Sequence, residues 1–560
     1  MFISESQVKK NIEEVQKFLK KTKNKSFYIP SFDIYLTEYV PLEDCPRYYV
    51  SGFTGSVGDV LIPQSGKAIL FVDGRYHEQA DNQVPQDLIE VYKCSYGISP
   101  FQGILKLLEQ RDYGSVCMQG ERTPLSAYKK ISQDFKTSVL LEGELDIWLS
   151  MKKIKINQRV HFLEDNLTGQ SIESKLGCLL GENEAEFISA RDSVSWISNT
   201  RAYQTPFQST PLMKLIVTND QLEIISPLED HLFDGAILNH SLFRFGPIDL
   251  SEASKLTDIK KIYYDPVNIT VGDYLCLKEK YGEKLRNRIG PVSLHKYKNQ
   301  TEIKVMENSF YSSLVWLKEN ASEGVSEIQF RDVVEENYKK HGAVTQSFST
   351  ISGFGPNGSI IHYSQPSDKK VLEGELALLD SGAFFEGALP TDTTRTCLPM
   401  GRPTQRQKLL YTLVLKGVLK AQSAVFPAAT RGAAIDALAR EELRYHGFDY
   451  PHGTGHGVGI NVHEKGYSLT PFSDVTLHEN LVGSIEPGVY IPGEGGIRLE
   501  NICQVIQHPE HKNMLTFKPL VFIGYEPELI SQNLLTAKES EVLGHYEREC
   551  AKRERSFRRV

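Results

Sequence analysis

Hydrophobic periodicity divides the chain into three long stretches and a tail. The first twenty-odd residues read as a polar amphipathic helix, with Lys9, Lys10, Glu13, Glu14, Lys17 and Lys20 interleaved with apolar positions. Ala68 to Val72 is a strand-like run ended by Asp73-Gly74, and the Gly-rich stretch Ser51 to Gly58 reads as a turn between strands. Helical patterns flank these runs, so residues 1–155 are expected to form an α/β domain. Residues 156–295 repeat the mixture. Helical patterns near 169–181 and 184–199 precede strand-like runs at 215–217, 222–225 and 261–264, the last stopped by Asp265-Pro266.

The third stretch, residues 296–510, differs in kind. Thr301 to Asn320 has helical periodicity, and Ser326-Glu-Ile-Gln329 is a capping box that predicts a helix ending at His341-Gly342. Strand patterns follow around 347–352, 359–363 and 375–380. Two helices are expected over 403–426 and 431–446, the second stopped by Gly447, and strands over 482–486 and 496–505. Strands outnumber helices and do not alternate with them, which favours α+β with an antiparallel sheet. Residues 511–560 exceed what this domain needs and form a C-terminal extension.

Composition narrows the function classes. The formal net charge is -8, so there is no global basic field for nucleic acid. The run Lys552, Arg553, Arg555, Arg558 and Arg559 is locally basic and reads as a solvated, frayed tail. The basic start lacks the continuous apolar stretch of a signal peptide, and no window is apolar for long enough to span a bilayer. Eight cysteines are scattered without a CxxC pair, which argues against a zinc ribbon or redox motif and for reduced thiols in a cytoplasmic protein.

Five candidate metal ligands lie at strand ends or in Gly-rich turns of the third stretch. Asp380 closes an apolar run, and Asp392 follows twelve residues later in Thr391-Asp-Thr-Thr-Arg-Thr396. A hairpin between them would bring both carboxylates together. His456 lies in His452-Gly-Thr-Gly-His-Gly-Val-Gly459, where four glycines permit close backbone approach. Glu486 precedes Pro487-Gly488, and Glu500 ends Gly496-Ile-Arg-Leu-Glu500, two residues after Arg498. Each alone is an ordinary turn or strand-end residue. Together, one histidine and four carboxylates suit two hard or borderline divalent ions better than one zinc. Two such ions about 3.5–4 Å apart can share a bridging hydroxide.

The ligand order Asp, Asp, His, Glu, Glu and the segments around it (DSGA, TDTTRT, HGTGHGVG, EPGVY, IRLEN) resemble the pita-bread metallopeptidases. The gap between the glutamates fits that family. The gap between the aspartates is one residue longer than usual, with the extra residue in Phe385 to Pro390 at the hairpin tip. Aminopeptidase P is the most similar member, through SGFTGS and Val72-Asp-Gly-Arg-Tyr76 in the first domain and through the tripartite form with a tail beyond Thr516 to Leu520. The resemblance implies an α+β pita-bread (creatinase/methionine aminopeptidase-like) catalytic domain preceded by two related α/β domains. It implies a homodimer to which the C-terminal extension contributes, the extension also packing on the catalytic domain.

It further implies Asp380 as a ligand of one metal, His456 and Glu486 as ligands of the other, and Asp392 and Glu500 as bridges. Manganese is the usual ion, with cobalt or zinc as substitutes. The implied activity is hydrolysis of the bond between an N-terminal residue and a following proline, by a hydroxide bridging the ions, with peptides bearing proline in second position as partners. Glu486 is the candidate general base. His362 and His463 match the family's two substrate-binding histidines and are assigned to the developing oxyanion and the proline end. Arg498 is assigned to holding a bridging carboxylate or its surroundings. His452 and Tyr490 are placed in the pocket lining, and Arg75 either contacts peptide or stabilises its own hairpin. A prolidase shares these ligands but would cut only Xaa-Pro dipeptides. A non-enzymatic binding protein on this fold would be expected to have lost them.

Overall fold

The structure is a computed structural model that describes residues 3–111, 113–141, 143–151, 156–253, 255–312, 324–387 and 389–557. Two compact units form, Met1–Leu163 with Gln170–Pro291, and Glu164–Gly169 with Val292–Val560.

Two six-stranded sheets build the first unit, and they share one topology. In spatial order the first is Ile89–Lys93, Ala68–Val72, Asp59–Pro63, Ser26–Ile29, Ser115–Gln119, Lys136–Leu140. The second is Phe243–Phe245, Leu222–Ile225, Lys214–Val217, Glu184–Ile188, Lys261–Tyr264, Leu285–Asn287. Counted along each sheet's own chain, both run 4-3-2-1-5-6. The pairings match as well, parallel at 4-3, 1-5 and 5-6 and antiparallel at 3-2 and 2-1. The two α/β regions are therefore structurally related. Ala68–Val72 is buried at every position, as its unbroken apolar run requires.

Two expectations in this unit are corrected. Residues 184–199 are not one helix. Glu184–Ile188 is a central strand of the second sheet, and only Arg191–Ser198 is helical. The two glutamates favoured a helix by propensity, but Glu186 is buried and donates no such preference once Arg288 pairs with it at 2.5 Å. The Gly-rich stretch after Ser51 follows a short helix, Pro46–Ser51, rather than a strand, and Gly52 closes that helix at φ 74°.

The second unit is built from antiparallel pairings. Ile351–Phe354, Ala377–Ser381 and Thr393–Cys397 form one sheet. A six-stranded sheet runs Phe426–Pro427, Met514–Pro519, Asn501–Gln507, Val482–Ile485, Gly455–Gly457, Glu464–Leu469. Gly488–Ile491 and Gly495–Arg498 form a hairpin. The capping box at Ser326 and Gln329 is present and opens Glu327–Lys340, with Gly342 beyond it at φ 89°. Gln405–Gln422 and Gly432–Tyr445 are the two expected helices. The helix from Gln300 is described to Ser312, and the rest of its expected span lies outside the described residues.

Three further corrections concern this unit. Residues 359–363 form no strand; a 3-10 turn, Gly355–Ser359, led by Gly355 at φ 52°, runs into bend, turn and irregular chain over 360–363. The expected strand over 496–505 is two strands broken at Leu499-Glu500, where the chain leaves the hairpin for the larger sheet. The basic run near the C-terminus is helical, not frayed: Lys552, Arg553 and Arg555 lie in Ala537–Phe557, while Arg558 and Arg559 lie outside the described residues. That helix sets Leu543, Tyr546 and Cys550 into the same core as Leu413, Val414, Val489 and Ile497. Burial of each such side chain contributes roughly 1.5–3 kcal/mol. Among the described residues, no helix is long and apolar enough to cross a membrane.

Candidate metal centre

Strand register explains the ligand spacings. Asp380 pairs with Thr394 and Ser381 with Thr393, so Asp392 stands just before the partner strand begins. Between Ser381 and Asp392 the chain makes an excursion in which Ala383–Phe385 pairs with Ala343–Gln346. Ile485 pairs with Asn501, and Gly488 pairs with Arg498 in the hairpin beyond. Glu486 and Glu500 thus sit on either side of the hairpin's base, which is why fourteen residues separate them. His456 lies in Gly455–Gly457, against Val482–Ile485. A Cβ at Gly455 would overlap the Ser484 carbonyl, so only glycine lets these strands close.

The side chains converge. His456 Nε2 lies 3.3 Å from Asp392 Oδ2 and 3.3 Å from Glu486 Oε1. Ligand atoms of Asp392, His456 and Glu500 all fall within 4.8 Å of one another. His456 Nδ1 lies 3.1 Å from the Gly457 carbonyl; donation there leaves the Nε2 lone pair for a metal. Asp380 and Arg498 form an ion pair at 2.6 Å.

The charges do not balance on their own. Asp392 is pushed well above the usual carboxylate range by burial, then by Asp380 and Glu486. Glu500 is pushed well up by burial, then by Asp392, Glu486 and Asp380. Glu486 is raised by burial, although His456 and Arg498 oppose the shift. Two buried carboxylate oxygens, Asp380 Oδ1 and Glu500 Oε1, have no hydrogen-bond partner. Orphaned carboxylate oxygens in a pocket of four carboxylates and one imidazole fit divalent cations, which would satisfy the oxygens and cancel the repulsion.

Around the candidate ligands lies a linked set of donors. Arg498 Nη1 donates to the Tyr490 hydroxyl at 2.8 Å, and Tyr490 and His452 Nε2 are 2.9 Å apart. Arg498 Nε donates to Thr394 Oγ1 at 3.1 Å, and Thr394 donates to Glu500 Oε2 at 2.9 Å. The carboxylate that Arg498 contacts is therefore Asp380, and it reaches Glu500 only through Thr394. The His463 ring stands edge-on to His456, 4.3 Å between centroids. His362 is half-buried, directly after Ile361, whose carbonyl accepts from Arg498 Nη1 at 3.4 Å. Arg75 belongs to the first unit, where its guanidinium forms a two-point pair with Asp73 at 3.0 and 2.7 Å.

Two members of the cluster escape a reading by residue type. Thr394 serves both Arg498 and Glu500. Ser484 accepts from the His456 amide at 2.9 Å and donates to Glu486 Oε1 at 3.1 Å. Their signal in the sequence is positional: each lies two residues from a ligand along its chain.

Residues 305–507 match metallopeptidase family M24, and residues 12–146 match the creatinase/prolidase N-terminal domain. A probable Xaa-Pro aminopeptidase P of Metarhizium robertsii is 31% identical over 97% of this chain and 96% of its own. Another from Botryotinia fuckeliana is 30% identical over 97% of this chain and 89% of its own. In fold the chain is similar to an X-prolyl aminopeptidase from Caenorhabditis elegans, described as a cytosolic enzyme with a di-nuclear active site. The TM-score is 0.88 over 98% of this chain and 96% of that one, at 23% identity. The architecture is thus the pita-bread domain behind two related α/β domains, and the chain belongs to the Xaa-Pro aminopeptidase P family of M24 metallopeptidases.

Proposed function

We propose that this metallo-aminopeptidase, an Xaa-Pro aminopeptidase, acts on peptides with proline in second position and uses Asp380, Asp392, His456, Glu486 and Glu500 to hold two divalent ions. The observation that carries the site assignment is the convergence of Asp392, His456 and Glu500, with Glu486 3.3 Å from His456 and orphaned oxygens on Asp380 and Glu500. The ions would polarise the scissile carbonyl and supply a nucleophile from water at neutral pH. Glu486 takes the proton released from the attacking water onto its carboxylate, whose Oε1 is held by Ser484. That proton then serves the proline nitrogen, which carries no hydrogen of its own and leaves poorly until protonated. His362 and His463 steady the developing oxyanion and orient the proline end. Arg498 keeps Asp380 in place, and His452 and Tyr490 line the pocket. Arg75, tied to Asp73, is assigned to its own turn or to peptide contact.

Manganese, cytoplasmic placement and homodimer formation complete the proposal. The eight cysteines are all free, which fits a reducing compartment. The test is release of arginine from Arg-Pro-Pro by chelated protein, with and without added manganese. Manganese-dependent release, abolished in Glu486→Ala, supports the reading. Faster cleavage of an Xaa-Pro dipeptide would instead favour the prolidase activity, and silence with manganese, cobalt and zinc would sink both.

A further inference from the structure

The helix Glu327–Lys340 begins on a carboxylate that is fully buried. Glu327 Oε1 accepts from the Phe354 amide at 2.9 Å and the Asn357 side-chain amide at 2.8 Å. Its Oε2 accepts from the Tyr363 hydroxyl at 2.8 Å, the Ser367 amide at 2.9 Å and the Ser367 hydroxyl at 2.7 Å. All five donors belong to one segment, residues 354–367. The first amides of the helix grip the same region: Glu327 N donates to the Lys369 carbonyl at 3.0 Å and Ile328 N to the Ser367 carbonyl at 3.2 Å.

A buried carboxylate is costly unless hydrogen-bonded, and two oxygens offer about four lone-pair sites, so five donors saturate this one. The segment it closes is not a regular element that would hold its own shape. It is a 3-10 turn followed by irregular chain. Near its middle is His362, with Tyr363 bound to Glu327 on one side and Ile361 bound to Arg498 on the other. The same segment lies against the strand carrying Arg498, where a Cβ at Gly496 would overlap the Gly358 carbonyl.

We propose that Glu327 is a positioning residue for the reaction: it joins the two ends of the 354–367 segment and so fixes the backbone that presents His362. The inference rests on the role given to His362 above. Glu327→Gln retains one acceptor oxygen but turns an NH2 group toward donors on one side or the other.

The test uses the manganese-loaded full chain, with bound metal measured by elemental analysis and kcat and KM measured on Arg-Pro-Pro. Glu327→Gln is expected to keep its metal and to lower kcat about tenfold or more, as misplacement of a substrate-orienting group does. In a His362→Ala background the further loss should shrink to about twofold or less, because the two changes act through one group. Tyr363→Phe removes one donor and leaves the carboxylate; a smaller loss with the same dependence on His362 is expected, and it serves if Glu327→Gln does not fold. Loss of metal, no effect on kcat, or the same fold-loss in both backgrounds overturns the proposal. Full activity of His362→Ala alone would remove the role of His362 and this inference with it. An impaired His362→Ala with an undiminished Glu327→Gln effect would remove this inference only.

Discussion

Arg498 Nη2 lies 2.6 Å from Asp380 Oδ2, and both side chains are largely out of solvent. The same guanidinium reaches Tyr490 and, through Thr394, Glu500. One cation thus sets the orientation of two candidate ligands and one pocket residue. Lysine cannot reproduce this fork. Arg498→Lys is expected to weaken metal binding or turnover about 10–100-fold. Metal titration followed by calorimetry checks it, and a variant with unchanged affinity and kcat would show that the pair is only structural.

Four carboxylates crowded without cations should cost stability, and metal should restore it. Chelated protein is expected to melt lower than manganese-loaded protein, by an amount that grows with metal concentration. Asp392→Asn removes one of the repelling charges. Its chelated form should melt at or above the chelated parent, while its gain on adding manganese should shrink and its activity disappear. If Asp392→Asn gained as much from manganese as the parent, Asp392 would not be a ligand.

The candidate ligands were legible because four carboxylates and one histidine stand in a fixed order at strand ends and in Gly-rich turns, and antiparallel pairing turns such spacing into proximity. Asp380, Asp392, His456, Glu486 and Glu500 could therefore be read from the chain as one candidate cluster. Glu184–Ile188 could not, because its glutamates argue for helix, while the groups that hold them in a strand, Arg288 for Glu186 and Tyr263 and Lys261 for Glu184, are remote in sequence. Residues 359–363 failed for a related reason. Ile360, Ile361 and Tyr363 look like part of a strand, but among the described residues no strand pairs with them, and Tyr363 donates instead to Glu327, over thirty residues earlier. Thr394 and Ser484 are common residue types whose importance comes from their partners, Glu500 for Thr394 and both His456 and Glu486 for Ser484. Local pattern carries local structure, and it carries a site only where the site's residues stand in a distinctive order and spacing.

Glu464, next to His463, gives the second unit a pH signature. Burial would raise its carboxyl, but Lys298 and His295 pull it from an ordinary 4.5 down to about 2. Lys298 is ion-paired with it and His295 Nδ1 is 3.3 Å away, all three side chains buried. A depressed folded value means the stabilisation is complete above the unfolded value near pH 4.3 and is lost as pH falls toward 2. The difference corresponds to about 3 kcal/mol. Glu464→Gln should therefore melt well below the parent at pH 7, and the gap should narrow between pH 4.5 and pH 2. Calorimetry of both proteins across that range decides it; a gap constant with pH would mean the ion pairs are not its source.

The C-terminal helix should be part of the metal centre's support rather than an appendage. Arg395 is buried, donates to the Glu500 carbonyl, and also donates to Asn501 Oδ1 at 2.8 Å, the Ile523 carbonyl at 2.6 Å and the Tyr546 hydroxyl at 3.0 Å. Tyr546 comes from Ala537–Phe557, and its hydroxyl lies 3.0 Å from Asn501 Oδ1. Tyr546→Phe removes one of three acceptors of Arg395 Nη2 and leaves Asn501 Oδ1 and the Ile523 carbonyl, so it should cost only about 0.5–1.5 kcal/mol. Arg395→Lys loses several of these bonds at once and should also weaken metal binding about tenfold, by loosening the backbone at Glu500. Removal of residues after Thr536 should do more, since it strips Leu543, Tyr546 and Cys550 from the core they share with Val489 and Ile497. Melting temperature and manganese affinity of the three variants should fall in that order. A chain ending at Thr536 that kept both at the level of the parent would show that the helix supports neither the core nor the ligand.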